Sequence, residues 1–177
     1  MGRDKASLAW GPTTLLGHVV SVVAGAVDEV VVAAGPRQEL PELPGEVAVA
    51  RDPEPGLGPL RGLVTGLGAV GQAGPVVVVA VDQPFLTTPA TRVLIGALGQ
   101  ADVAAPVVDG VLRPLPACYR ATVRPRAEGL LAAGERRLRA LLDGSRVVPV
   151  PVDDLGGPDA LADLDTAAAY ERSRARK

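Results

Sequence analysis

Asp82 stands directly after Val76-Val77-Val78-Val79-Ala80-Val81, the clearest apolar run in the chain. A short β-branched run that is apolar at every position reads as a strand buried on both faces, the centre of a parallel sheet. Sheets of that kind hold ligands outside the carboxyl ends of their strands. A carboxylate there is a hard oxygen donor suited to Mg²⁺, which keeps water and phosphate oxygens as its other ligands. Asp-x-Pro is also ordinary turn chemistry, so a solvated turn acid fits the same residues.

Four further sets of residues carry candidate chemistry. Asp163 and Asp165 alternate within ALADLDTAAAY, which puts both on one side of an extended segment. Asp165 equally suits the cap of a helix beginning at Thr166 or Ala167. Lys5, with Arg3 close by, offers positive charge for phosphates, lysine as a point charge and arginine as a fork; a ragged basic terminus is the plainer reading. Asp52 precedes PEPGLGPLRGL. Its two acceptor oxygens suit a guanine edge, and Gly58-Pro59-Leu60 brings a backbone turn and a helix amino end toward a ligand. An ordinary Gly/Pro loop is the alternative. Arg136, Arg137 and Arg139 in GERRLRALL read as a solvated helix face or as a grip on an anionic substrate. His18, the only histidine, lies on an apolar helix and reads as a packing or surface residue. Cys118, the only cysteine, reads as core. Nothing here assembles a nucleophilic triad or a zinc site.

The elements that must position these groups alternate strand and helix. Helices are expected over Thr13–Ala24, Leu60–Val70, Pro89–Leu98, Thr122–Leu131, Glu135–Leu142 and Thr166–Arg174, from apolar residues three and four apart and candidate caps such as Thr13 or Thr14. Strands are expected over Asp28–Ala34, Val47–Ala50, Val76–Val81, Val103–Pro106, Leu115–Tyr119 and Arg146–Val152, the last with a proline break. The order predicts one doubly wound α/β domain over residues 1–177.

Composition narrows the function. The chain is 47% apolar, so a packed core is expected, and its net charge of -2 and 2% aromatic content argue against a general nucleic-acid binder. One cysteine excludes an internal disulfide and fits a reducing cytoplasm. No signal-peptide pattern opens the chain, and the longest apolar run is too short to span a bilayer.

Six stretches occur in the order found in the MobA-like nucleotidyltransferases: MGRDKASLAWGPTTLLGHVV, ARDPEPGLGPLRGL, VVVVAVDQPFL, LRPLPACYR, AAGERRLRALL and ALADLDTAAAY. The chain resembles the guanylyl branch of that family more than the cytidylyl branch. The resemblance implies a three-layer, mostly parallel Rossmann-like sheet. It implies transfer of GMP from GTP to molybdopterin, with Mg²⁺ as cofactor and pyrophosphate as the leaving group. It further implies protein partners in molybdopterin synthesis and molybdoenzyme delivery, and no nucleic-acid or membrane partner. By resemblance Lys5 contacts phosphates and Asp82 binds magnesium. Asp163 and Asp165 lie near the metal, Asp52 recognises guanine with Gly58, Pro59 and Leu60 beside it, and Arg136 and Arg137 line the pterin side. A cytidylyltransferase or a sugar-nucleotide pyrophosphorylase of the same superfamily is the alternative activity.

The family pattern opens with a strand and Leu-Ala-Gly-Gly-x-Ser-x-Arg, then Met-Gly-x-Asp-Lys. Met1, Gly2, Asp4 and Lys5 match only the end of it. The expected first strand and glycine-rich loop therefore lie outside this sequence, and the upstream reading frame is expected to encode them. A truncated, inactive pterin-binding protein is the contrary expectation.

Overall fold

The structure, a computed structural model, describes residues 4–56, 58–70 and 74–164. The expected helix over Thr166–Arg174, together with Asp165, Arg3 and Leu57, lies outside the described residues.

A 3₁₀ turn over Lys5–Ser7 leads into two short paired strands, β1 (Ala9–Trp10) and β2 (Thr13–Thr14), and then α1 (Leu15–Ala24). Thr14 caps α1, its hydroxyl accepting from the Gly17 N–H at 3.1 Å. That bond satisfies one of the donors a helix start leaves unpaired. Leu15, Leu16, Val19 and Val20 form the buried stripe of α1, as their spacing predicts. Next come β3 (Val31–Ala34), β4 (Ala48–Arg51), α2 (Gly58–Ala69), β5 (Pro75–Val78) and α3 (Thr88–Ala97), the last capped by Thr87 with Pro89 in its first turn. β6 (Val103–Val108), β7 (Val111–Leu112) and β8 (Ala117–Arg120) follow. α4 (Arg124–Ala132), α5 (Arg139–Leu142) and β9 (Val147–Pro151) come after them, and two 3₁₀ turns, over Val152–Leu155 and Pro158–Leu161, end the described fold.

β3 and β4 pair in parallel. The larger sheet has the order β5-β8-β6-β7, with β9 also paired to β6. Since β5 and β6 are each antiparallel to β8 and β9 is parallel to β6, β5, β6 and β9 share one direction and β8 is reversed among them. The sheet separates two cores by the period of two that a strand imposes. Val103, Ala105, Ala117 and Tyr119 face the cluster that holds Leu60, Leu63, Leu67 and Leu141. Ala104 and Cys118 face the cluster of Leu86, Leu94, Leu98 and Leu155. The valine run divides likewise, with Val76 and Val78 toward the first and Val77 and Val79 toward the second. The α/β layering expected from the sequence is therefore present.

Three details differ from expectation. β5 occupies the end of the larger sheet rather than its centre, and its one partner among the described residues is β8, antiparallel. β3 likewise pairs only with β4, while Val81, just past β5, packs on the cluster of Val32 and Ala34. Second, the helix expected from Glu135 begins only at Arg139. Third, Pro149 and Pro151 do not break β9. Its one partner among the described residues is β6, so prolines without an N–H are accommodated.

Cys118 is buried at the middle of β8, and desolvation pushes its thiol pKa up to about 12. The thiolate is the reactive form. Native protein at pH 8 is therefore expected to resist iodoacetamide, with alkylation measured by mass spectrometry only after denaturation. Rapid labelling of the folded chain would show that β8 opens readily.

Candidate active site

Asp82 lies in the turn that follows β5, and Lys5 in the 3₁₀ turn ahead of β1. Lys5 Nζ donates to Asp82 Oδ2 at 2.7 Å, and both side chains are about three-quarters covered. Two groups that stand 77 residues apart in the chain thus meet. Asp4 sets the Lys5 turn: one carboxylate oxygen accepts from the Ala6 N–H at 3.0 Å and the other from Gln38 Nε2 at 2.8 Å.

The Asp82 turn is held from three sides. Leu164 N–H donates to the Asp82 carbonyl at 2.9 Å, which lays the segment carrying Asp163 beside it. His18 Nε2 lies 2.9 Å from the Pro84 carbonyl. A carbonyl only accepts, so Nε2 carries the proton. Gln83 is buried, and its amide accepts from Ala80 N–H at 3.2 Å and donates to the Leu115 carbonyl at 3.1 Å. Trp10 packs against His18 and meets Phe85 edge-on, which seats the entry segment on the same turn.

Asp82 and Asp163 line one open cavity of about 540 Å³ with Ala80, Gln83, Arg113 and Leu115. That is the size range of small-molecule sites. Among the described residues no group of three or more His, Cys, Asp or Glu converges as a metal cage. Two carboxylates on one cavity fit a hard cation that takes its remaining oxygens from phosphates and water. Asp165, the third expected acid, is outside the described residues.

Asp52 follows β4, and Thr65 of α2 donates to its Oδ1 at 2.5 Å. The carboxylate expected to present both oxygens to a base therefore has one already engaged. Gly58 and Pro59 begin α2, but the Leu60 side chain is fully buried in the first core and presents no surface to a ligand. Gly58 and Pro59 are exposed. The backbone there is occupied in part, since the Arg136 carbonyl accepts from the Leu60 N–H at 3.3 Å.

Arg136 and Arg137, expected to line the pterin side, stand apart from Asp82 and Asp163. Neither lines the cavity that holds Asp82. Arg136 lies against Gly58, at the start of α2. Arg137 is spent on Glu135, with Nη2 donating to Oε2 at 2.7 Å and Nε to Oε1 at 3.0 Å. Glu135 Oε1 also accepts from the N–H groups of Arg136 and Arg137 at 2.8 and 2.9 Å. These bonds hold the Glu135 pKa down to about 2, the Arg137 side chain being the largest cause. Residues 135–137 lie ahead of α5 in no regular element. Sequence reasoning passed over Thr65, Gln83 and Arg113; of these only Gln83, beside Asp82, sat where a signal was visible.

The site thus joins a lysine-paired acid beyond a strand end to a second acid on the same cavity. The MobA-like NTP transferase domain profile matches residues 1–150, and the chain belongs to that family. A "probable molybdenum cofactor guanylyltransferase" of Mycobacterium tuberculosis H37Rv is 42% identical over 161 residues, 87% of this chain and 78% of the relative. Among solved structures, molybdopterin-guanine dinucleotide biosynthesis protein A of Archaeoglobus fulgidus superposes with a TM-score of 0.79 at 20% identity, over 99% of this chain and 91% of its own. Rv0371C of M. tuberculosis H37Rv, solved in complex with manganese, superposes with a TM-score of 0.60 at 20% identity, over 97% and 91%. Those two likenesses are of fold.

Proposed function

We propose that the chain transfers GMP from GTP to the terminal phosphate of molybdopterin and releases pyrophosphate. The observation that carries the reading is the meeting of Lys5 with Asp82 at a cavity that Asp163 shares. The acceptor phosphate oxygen attacks the α-phosphorus of GTP. A new P–O bond forms, the bond to the β-phosphate oxygen breaks, and its electron pair leaves with pyrophosphate. The nucleophile arrives with the substrate, so the chain's task is positioning and charge stabilisation. Asp82 and Asp163 would hold Mg²⁺, which on binding screens the charge that gathers on the phosphates. Lys5 moves from Asp82 onto the triphosphate. Asp52, steadied by Thr65, accepts from the guanine edge through its remaining oxygen. No helix among the described residues is long and apolar enough to cross a membrane.

Competition binding tests the base. In the presence of Mg²⁺, GTP is expected to bind at least tenfold more tightly than CTP. The comparison uses both the 177-residue chain and the chain extended by whatever its reading frame encodes ahead of Met1. Tighter binding of CTP would replace guanylyl by cytidylyl transfer. Pterin binding without transfer in either chain would favour an accessory role.

A further inference from the structure

The cavity beside Asp82 carries one cation that the expected chemistry does not use. Arg113 lines it with Asp82 and Asp163, is itself exposed, and its side chain makes no hydrogen bond or ion pair among the described residues. Lys5, the other cation near this acid, is already on Asp82.

The strap that carries Arg113 is fixed at successive positions. Arg113 N–H donates to the Pro106 carbonyl at 2.8 Å. The buried Tyr119 hydroxyl donates to the Pro114 carbonyl at 2.6 Å. The Leu115 carbonyl accepts from Gln83 Nε2 at 3.1 Å. Gln83 follows Asp82 directly, and the same amide accepts from Ala80 N–H. One buried side chain thus ties the Asp82 turn to the Arg113 strap. The strap backbone is thereby held in register with the Asp82 turn, and the exposed Arg113 side chain is left to meet a ligand.

We propose that Arg113 receives the phosphomonoester of the acceptor substrate, and that Gln83 is the positioning residue that keeps it in register with Asp82. The inference rests on the transfer reading above and names the residue that selects the acceptor. A guanidinium presents paired N–H donors that match a phosphate's oxygens, which an ammonium does not. In-line displacement needs the attacking phosphate opposite the departing pyrophosphate. Lys5 serves the triphosphate. A second, separate cation across the cavity is what a second phosphate requires. Its charge offsets the repulsion an incoming dianion meets from GTP and two carboxylates.

Steady-state transfer and equilibrium binding of the pterin phosphomonoester, both on the full chain, test this. Arg113→Gln is expected to raise the acceptor KM at least tenfold while the GTP KM stays within twofold, and Arg113→Lys to recover part of the loss. An unchanged acceptor KM in Arg113→Gln overturns the assignment, as does an equal rise in both KM values. Gln83→Glu keeps the acceptor for Ala80 N–H and loses the donor to Leu115. It is expected to raise the acceptor KM with an unaltered far-ultraviolet spectrum, and an unchanged acceptor KM removes Gln83 from the proposal. Should the wild type transfer no GMP, the reaction assignment fails and binding decides Arg113. Wild type holding the phosphomonoester tenfold more tightly than Arg113→Gln keeps the site, and equal or absent binding overturns it.

Discussion

Asp82→Asn lowers the rate of GMP transfer about a thousandfold while the chain stays folded. The substitution preserves shape and one carbonyl oxygen but removes the charge that, on the proposed reading, draws a hard cation to the end of β5. A metal at a phosphoryl centre contributes several kcal/mol of charge stabilisation, and each 1.4 kcal/mol or so is tenfold in rate. The turn itself has other supports, in Leu164, His18 and Gln83, so it survives. The discriminating measurement is kcat as a function of Mg²⁺ concentration, with GTP affinity taken separately. Near-normal turnover at saturating Mg²⁺ would remove Asp82 from the metal site.

The second large effect belongs to Lys5. Lys5→Met is expected to reduce kcat roughly a hundredfold or more, the scale on which a single group stabilising transition-state charge acts. It should also change the protein before any nucleotide binds. Lys5 Nζ sits on Asp82 Oδ2, the oxygen a cation would take, so ammonium and metal compete for it. Removing the ammonium frees the carboxylate, and Mn²⁺ binding without nucleotide, followed by electron paramagnetic resonance, is expected to tighten. Lower turnover with tighter resting metal binding is a combination that simple unfolding does not give. Unaltered turnover would show that Lys5 does not serve the phosphates.

Much of this arrangement can be read from local residues. Thr14, one of the two candidate caps of the first helix, does cap it, because capping depends on a side chain reaching three residues along its own chain. The valine run is visibly a strand with two apolar faces, and the residue after it stands visibly where ligands bind. What is not legible depends on partners distant in sequence. Nothing local to β5 says that it pairs antiparallel with β8, and nothing local to Lys5 says that it reaches Asp82. GERR misleads for another reason. The expected helix starts only at Arg139, and the Glu135 side chain accepts from the two backbone donors that follow it. That segment carries Arg136 to the start of α2 and away from the cavity. Arg113 escapes notice because a lone arginine beside prolines gives no pattern until the strap folds over Gln83.

If the start of α2 adjoins the base as proposed, it limits how far the base preference can be redesigned. Gly58 has φ of +73°, and a Cβ built there would stand 3.1 Å from the Arg136 carbonyl oxygen, so a side chain meets both an unfavourable backbone conformation and a fixed backbone atom. Leu60 is committed to the core. On the proposed reading, adaptation to another nucleobase is left to Asp52 and the threonine that steadies it. A specificity library built on residues 58 and 60 would chiefly sample misfolded chains.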